Sequence, residues 1–455
     1  MIFKRKVYDQ LLEWKEKFSR RYAVMLEGPR RVGKSTIAEE FARRHFRSYI
    51  RIDFADITPE RIKAIFSSLA TPDLLFLQLQ ADTGIQLYPG ESVIIFDEIQ
   101  RAPPVRQAIK YLVADGRYSY IETGSLISIR QNIRNIVIPS EEYFISVNPL
   151  DFEEFLLATG NQAYGILREL YHRNKPVGSQ TNTKLMRDLR LYMAVGGMPQ
   201  AVESYIGKNN FVEIDRIKRS ILDLYEQDFY RIDKSGILAK MFTSIPSQLG
   251  HNKKRFVLSQ ASGKRTTAKD LERFSELVDS KTVQVSYDTA DPGIALGSTA
   301  RPDSYKVYLS DTGLFTSLLF SSADQTSSQI YSKLLSDKLS ANLGYLYENA
   351  AAQMITASGN KLFHHTWKKE GSTHHHEIDF LIQAGTKIVP IEIKSSSINS
   401  HSSITAFSLK YPGRILSQYL FSQKDVSHRE TLLCKPLWML PFVLEELGQA
   451  EITGR

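Results

Sequence analysis

Eight residues near the N-terminus, Gly28-Pro29-Arg30-Arg31-Val32-Gly33-Lys34-Ser35, have the types and spacing that grip phosphate. Glycine at 28 and 33 lets successive backbone N–H groups wrap an anion with no Cβ in the way. A helix starting at the end of the loop adds the positive end of its dipole. Lys34 is spaced to reach a β- or γ-phosphate and Ser35 to hold Mg2+, with Thr36 next in the first helical turn. Val93-Ile94-Ile95-Phe96-Asp97-Glu98 supplies a complementary half, an apolar strand with two acids at its C-terminal end. Adjacent carboxylates repel, and a cation is the usual reason to place them together. Asp97 is expected to help hold Mg2+, and Glu98 to orient and polarise an attacking water. Lys34 and Glu98 are thus the expected catalytic pair, and ATP with Mg2+ the expected ligand. Glu122-Thr123-Gly124-Ser125 ends another apolar run in a small polar tip suited to sensing a γ-phosphate. Ser125 is favoured over Thr123 for that role, a plain turn being the alternative.

A second constellation lies near the C-terminus. Asp379 sits in one apolar run and Glu392-Ile393-Lys394 in the next. Residues two apart on a strand share a face, so Glu392 and Lys394 point together while Ile391 and Ile393 face the core. If the two runs pair as a hairpin, Asp379 joins them, and Glu348 in a preceding helix offers a further acid. Two or three carboxylates with a lysine can hold Mg2+ and position water for phosphodiester hydrolysis. A charged outer strand face produces the same pattern. His374-His375-His376, with His364 and His365, invites a zinc reading, but adjacent residues of a run point apart, which favours a solvated loop. Lys253-Lys254-Arg255 and Lys264-Arg265 could contact phosphates of DNA or simply decorate loops.

These residues need elements to hold them. Residues 1–21 read as an amphipathic helix through Leu11, Leu12, Trp14 and Phe18. Five β-prone runs follow, Tyr22–Leu26, Tyr49–Phe54, Val93–Phe96, Tyr118–Ile121 and Tyr143–Val147, with helical patterns such as Ser35–Phe46 and Val105–Leu112 between them. Alternating strand and helix argues for an α/β fold with a parallel sheet covered on both faces. The expected division is a P-loop core over 1–150, a helical lid or connector over 151–234, a winged-helix-like segment over 235–320 and a further α/β domain over 330–455. The third segment rests on helix-like Gly236–Leu249 and Thr267–Val278 followed by strand-like Thr282–Tyr287 and Ser304–Leu309. Ser321–Ser328 reads as a linker.

At 455 residues the chain is too long for one ordinary core. Its 42% hydrophobic and 24% charged residues exclude a disordered chain, and the net charge of +8 permits a polyanionic partner without requiring one. The single cysteine, Cys434, excludes an intrachain disulfide and fits a reducing, cytoplasmic setting. No run approaches the ~20 apolar residues of a membrane span.

The stretches GPRRVGKST, IIFDEIQRAP, ETGS, NPLDFEEFL, AVGGMPQAV, SDTGLF, LYENAAAQMI and EIDFLI…VPIEIKSS, in that order, resemble a prokaryotic family of AAA-type P-loop ATPases fused to a C-terminal domain of unknown function. The resemblance implies an AAA-like core, a helical lid, a winged helix and a C-terminal domain similar to PD-(D/E)XK nucleases. It also implies that Gly197-Met198-Pro199, and Pro199 in particular, lies near the adenine base, a helix-ending turn being the alternative. The family often carries a Gly-Arg pair where this chain has Val137-Ile138-Pro139-Ser140. Arg130 and Arg134 are then the candidates for a γ-phosphate contact, with surface positions as the alternative. Two functions follow as expectations. One is a Mg2+-dependent ATPase whose C-terminal half binds or cleaves DNA. The other is a slow nucleotide-controlled switch that binds a protein partner or itself, with the nuclease-like part a scaffold.

Overall fold

The computed structural model describes residues 2–66, 71–124, 139–161, 163–208, 210–250, 254–293, 295–321, 326–339, 344–395, 402–429 and 431–453. Two compact units divide it, one made of residues 1–148 with 279–281, the other of 149–278 with 282–455.

The first unit is built on five strands, β1 (Ala23–Glu27), β2 (Ser48–Asp53), β3 (Ser92–Asp97), β4 (Ser119–Gly124) and β5 (Glu142–Ser146), in the order β2-β3-β4-β1-β5. All four pairings are parallel. The five apolar runs therefore became the five strands. Helices α1 (Val7–Lys17), α2 (Lys34–His45), α3 (Pro59–Ile65), α4 (Pro72–Thr83) and α5 (Pro103–Asp115) complete it. β3 is buried along its whole length, as expected of a central parallel strand flanked on both sides. Met25, Ile94, Phe96 and Tyr120 join Ile109 and Leu112 of α5 in one apolar cluster. On the same unit a buried fork closes on a carboxylate: Arg106 of α5 donates through Nε and Nη2 to Glu142 of β5, at 2.9 and 2.7 Å.

The described residues of the second unit form a series of helices, the first Phe152–Ala158 and one at Ala268–Asp279, ahead of an eight-stranded mixed sheet. Its strands are β6 (Val283–Thr289), β7 (Ala300–Leu309), β8 (Phe363–Lys368), β9 (His375–Ala384), β10 (Lys387–Ile393), β11 (Gln418–Ser422), β12 (Ser427–Arg429) and β13 (Leu432–Pro436). Their order is β12-β13-β11-β10-β9-β8-β6-β7. The helix pair and hairpin expected over 235–320 are present, but the hairpin β6–β7 pairs through β6 with β8 and so forms one end of the large sheet. Among the described residues no helix is long and apolar enough to cross a membrane.

A buried polar knot ties the helical part together. Asp215, in the helix Phe211–Ile232, accepts from Arg219 Nε, Ser317 Oγ, Tyr331 Oη and the Thr326 N–H, at 2.7 to 2.9 Å. Burial alone would raise its pKa, yet these donors outweigh burial and bring it down to about 2. A second junction joins the AVGGMPQAV and SDTGLF stretches. Asp311 caps the helix Thr312–Leu319 and accepts from Gly197 N at 2.6 Å. A Cβ on Gly197 would lie 2.0 Å from Leu150 O, and one on Gly313 2.5 Å from Gly196. Backbone packing therefore requires these glycines.

Candidate nucleotide site and the C-terminal acid cluster

The phosphate-type loop runs from the end of β1 to the start of α2. Gly28 is forced by crowding, since a Cβ there would lie 2.2 Å from Val147 O. Gly33 caps α2 in the left-handed region at φ 93°, which favours glycine. Arg31 also takes a positive φ of 69°, as the loop's curl demands. Pro29 and Val32 are buried, Arg30 is half-buried, and Arg31 and Thr36 are exposed.

Lys34 is not open to solvent as a phosphate-facing lysine in a shallow loop would be. It is buried, and Nζ donates to Gly28 O at 2.9 Å and Pro29 O at 2.8 Å, curling the loop around the ammonium. Burial lowers its pKa to about 8, with Glu98 and Asp97 pulling it back up.

At the carboxyl end of β3 the acids separate in role. Asp97 is buried and fully engaged. Its Oδ1 accepts from Ser35 Oγ at 2.8 Å and from Thr123 Oγ1, and its Oδ2 from Arg51 Nη2 at 2.6 Å and Nε at 3.1 Å. Glu98 sits half-buried on a left-handed backbone, φ 56° and ψ 45°. Its N–H donates to Thr123 Oγ1 at 3.3 Å, and its carboxylate accepts from the Gln100 amide. Such backbone in a non-glycine residue is uncommon and concentrates at functional sites.

Ser35, Asp97, Glu98 and Lys34 therefore meet in one place. Thr123 joins them and Ser125 lies outside the described residues, as do Arg130 and Arg134. Arg51 was not foreseen. Its sequence signal is a basic residue amid the run Tyr49–Phe54, and pairing with an acid on the neighbouring strand explains it. The register sets Arg51 beside Ile95 and Asp53 beside Asp97. A serine hydroxyl and a carboxylate in contact beside a cradle of backbone N–H groups fit Mg2+ with a triphosphate.

Residues 20–156 match an AAA domain. The chain carries a P-loop ATPase domain. Such a domain implies ATP binding and hydrolysis. Residues 186–325 match a domain of unknown function, DUF8612, and residues 343–437 another, DUF4143. No curated protein matches the chain. Among solved structures, the Thermotoga maritima RuvB Holliday junction branch migration motor is similar at 13% identity and a TM-score of 0.30, over 62% of this chain and 89% of that one. Cdc6p from Pyrobaculum aerophilum is 13% identical with a TM-score of 0.24, over 73% and 94%. C. elegans PCH-2 is 12% identical with a TM-score of 0.27; the match spans 46% of this chain and 65% of PCH-2. Superpositions this loose add nothing to the reading of the site.

In the second unit β9 and β10 do pair as an antiparallel hairpin, with Phe380 opposite Ile391. That register brings Asp379 alongside Glu392, and Asp379 Oδ2 accepts from Ile393 N at 2.9 Å. Ile391 and Ile393 are buried as expected. Glu348, in the helix Gly344–Ala357, and Glu377, two residues before Asp379 on β9, complete a group of acids. Lysines have entered it. Lys394 Nζ lies 2.7 Å from Glu392 Oε1. Lys254 pairs with Glu348 and stands 3.8 Å from Asp379 Oδ1. Lys306, from β7, lies 2.5 Å from Glu377, 3.8 Å from Glu348 and 3.9 Å from Asp379. Among the described residues no three His, Cys, Asp or Glu side chains form a group that could hold a metal. The acids expected to hold Mg2+ here are therefore paired with ammonium groups, and their arrangement does not fit the ion.

Of the histidines expected in a solvated loop, only His374 lies outside a strand. His364 and His365 are buried in β8, with Nδ1 of each bonded to Ser286 Oγ and Thr289 O respectively. His375 and His376 begin β9. Of the basic clusters, Arg255, Lys264 and Arg265 are exposed, Lys254 turns inward and Lys253 lies outside the described residues.

Proposed function

We propose that the chain is a Mg2+-dependent ATPase using Gly28, Pro29, Arg30, Arg31, Val32, Gly33, Lys34, Ser35 and Thr36 for the phosphates. The observation that carries this reading is the contact of Ser35 Oγ with Asp97 Oδ1 beside the loop cradle. Ser35 and Asp97 would hold Mg2+, which supplies charge neutralisation between the β- and γ-phosphates when bound. Lys34 exchanges its bonds to Gly28 O and Pro29 O for phosphate oxygens. Glu98, held by Gln100 and by its own backbone, orients the attacking water and accepts its proton. Thr123 fixes Asp97 and the Glu98 N–H together, so it links the metal-side acid to the water-side acid. Ser125 remains proposed for γ-phosphate sensing, and Pro199, at the head of the helix Pro199–Lys208, for the adenine side.

The working division is 1–150 for nucleotide chemistry, 151–234 as connector, 235–320 as a winged-helix-like part and 330–455 as a nuclease-like fold. We infer that the C-terminal half recognises DNA without cutting it, through exposed Arg255, Lys264 and Arg265. A second reading, a slow switch with a protein partner, is favoured by Lys254, whose inward turn removes it from any phosphate contact. ATP turnover and plasmid nicking, measured together with and without Mg2+ and DNA, separate these. The proposal expects Mg2+-dependent turnover, DNA retention and no nicking. Turnover indifferent to Mg2+ would overturn the first part, and DNA binding indifferent to salt the second.

A further inference from the structure

The C-terminal acids raise a question that the ATPase reading leaves alone. Asp379, Glu392 and Glu348 have the residue types of a divalent-metal site, yet every one of them already faces an ammonium. Lys306 is the decisive partner. Its side chain is fully buried, and Nζ stands within 4 Å of Glu377, Glu348 and Asp379 at once. Lys254 enters on a left-handed backbone, φ 45°, and spans Glu348 and Asp379.

We propose that Lys254 and Lys306 are the resident cations of this cluster, occupying the place of a divalent metal and making the β7–β9–β10 face a metal-free scaffold. Four carboxyl groups, Glu348, Glu377, Asp379 and Glu392, lie within 4 Å of three ammoniums, Lys254, Lys306 and Lys394. An added divalent ion would have to enter beside these ammoniums, and like-charge repulsion in low-dielectric surroundings penalises that heavily. Lys306 cannot retreat to water, because β7 packs it wholly inside. Lys254, about a third exposed, is the more easily displaced of the two.

The inference is independent of the P-loop assignment, and its test is too. Mn2+ binding to the full chain is titrated calorimetrically without nucleotide, in wild type and in Asp379→Asn. The Mn2+ stoichiometry is expected to be the same in both, any bound ion belonging to the first unit. Lys306→Met and Lys254→Met are each expected to melt lower than wild type and to gain one Mn2+ per chain, with recovery of the melting temperature. Adding Asp379→Asn should abolish that gain. Loss of one Mn2+ in Asp379→Asn relative to wild type would overturn the proposal. So would lysine variants that melt like wild type and gain no ion. Should Lys306→Met fail to fold, the wild-type comparison and the more exposed Lys254→Met still decide.

Discussion

Lys34 is the residue whose structure most changes its expected behaviour. A buried lysine with a pKa near 8 is charged at neutral pH and discharges in mild alkali. Triphosphate favours the charged form, so affinity should be full below about pH 8. Above it, affinity should fall by up to about tenfold per pH unit, because binding then requires proton uptake. Fluorescent-nucleotide titrations from pH 6.5 to 10 check this, and a flat profile would remove Lys34 from the phosphates. Lys34→Ala should weaken binding by roughly 10- to 100-fold at neutral pH, the scale of a hydrogen bond to a charged group. Thr123→Val keeps the shape but strips a donor from buried Asp97. Slower turnover and a raised Mg2+ requirement are expected, measured as the Mg2+ concentration giving half-maximal rate. The residues legible in the sequence were those whose spacing along the chain is the signal: Gly28, Gly33, Lys34, Ser35, Asp97 and Glu98. Arg51 and Gln100 reach the site through strand pairing or a local turn, which no linear pattern records, and Thr123, the lesser candidate for γ-phosphate sensing, instead holds Asp97 and the Glu98 N–H. Lys254 and Lys306 are the same case, lying over 40 residues from the acids they meet.

Elements with a clear period were read correctly, and those without one were missed. The helix α4 carries apolar residues on nearly every side, Leu74 and Leu77 exposed as well as Leu75 and Leu79 buried, so no helical stripe marks it. β8 is Phe-His-His-Thr-Trp-Lys, whose buried histidines satisfy themselves by hydrogen bonds and disguise a core strand. The buried polar ties between elements make two predictions. Breaking the Arg106–Glu142 fork with Arg106→Ala leaves a buried acid unpaired and should cost about 3–5 kcal/mol in denaturant melts of the first unit's transition. Nearby Glu122 is buried with both oxygens unpaired among the described residues, and burial and Glu142 push its pKa well above the usual carboxylate range; Glu122→Gln, which removes the charge at constant shape, should melt close to wild type. Asp215, held near 2, contributes stability that is present above its unfolded pKa near 4. That stability, about 2 kcal/mol, is lost as the pH falls from about 4 to 2. Acid melts should therefore fall steeply in wild type over that range and less so in Asp215→Asn.

At the scale of the molecule, the order of the motifs announced a P-loop domain followed by further domains, and the domain matches agree. The boundary drawn near residue 320 was less legible. The strands β6 and β7 alternate like any hairpin, and nothing in their own sequence tells that β6 will also pair with β8, Tyr287 opposite Phe363. If Arg255, Lys264 and Arg265 contact DNA, retention should fall steeply with salt as counterions are recaptured, and reversing the three charges should weaken all sequences alike.

The central claim is that one site in the first unit binds ATP through Lys34 and hydrolyses it through Glu98. Glu98→Gln keeps the shape, the Gln100 contact region and the loop while removing the proton acceptor. The most direct measurement is therefore paired: labelled-ATP binding and phosphate release in wild type and Glu98→Gln, under the same Mg2+. The account predicts unchanged binding with release slowed by roughly 10²- to 10⁴-fold in the variant. Wild-type release by Glu98→Gln, with binding intact, would contradict it.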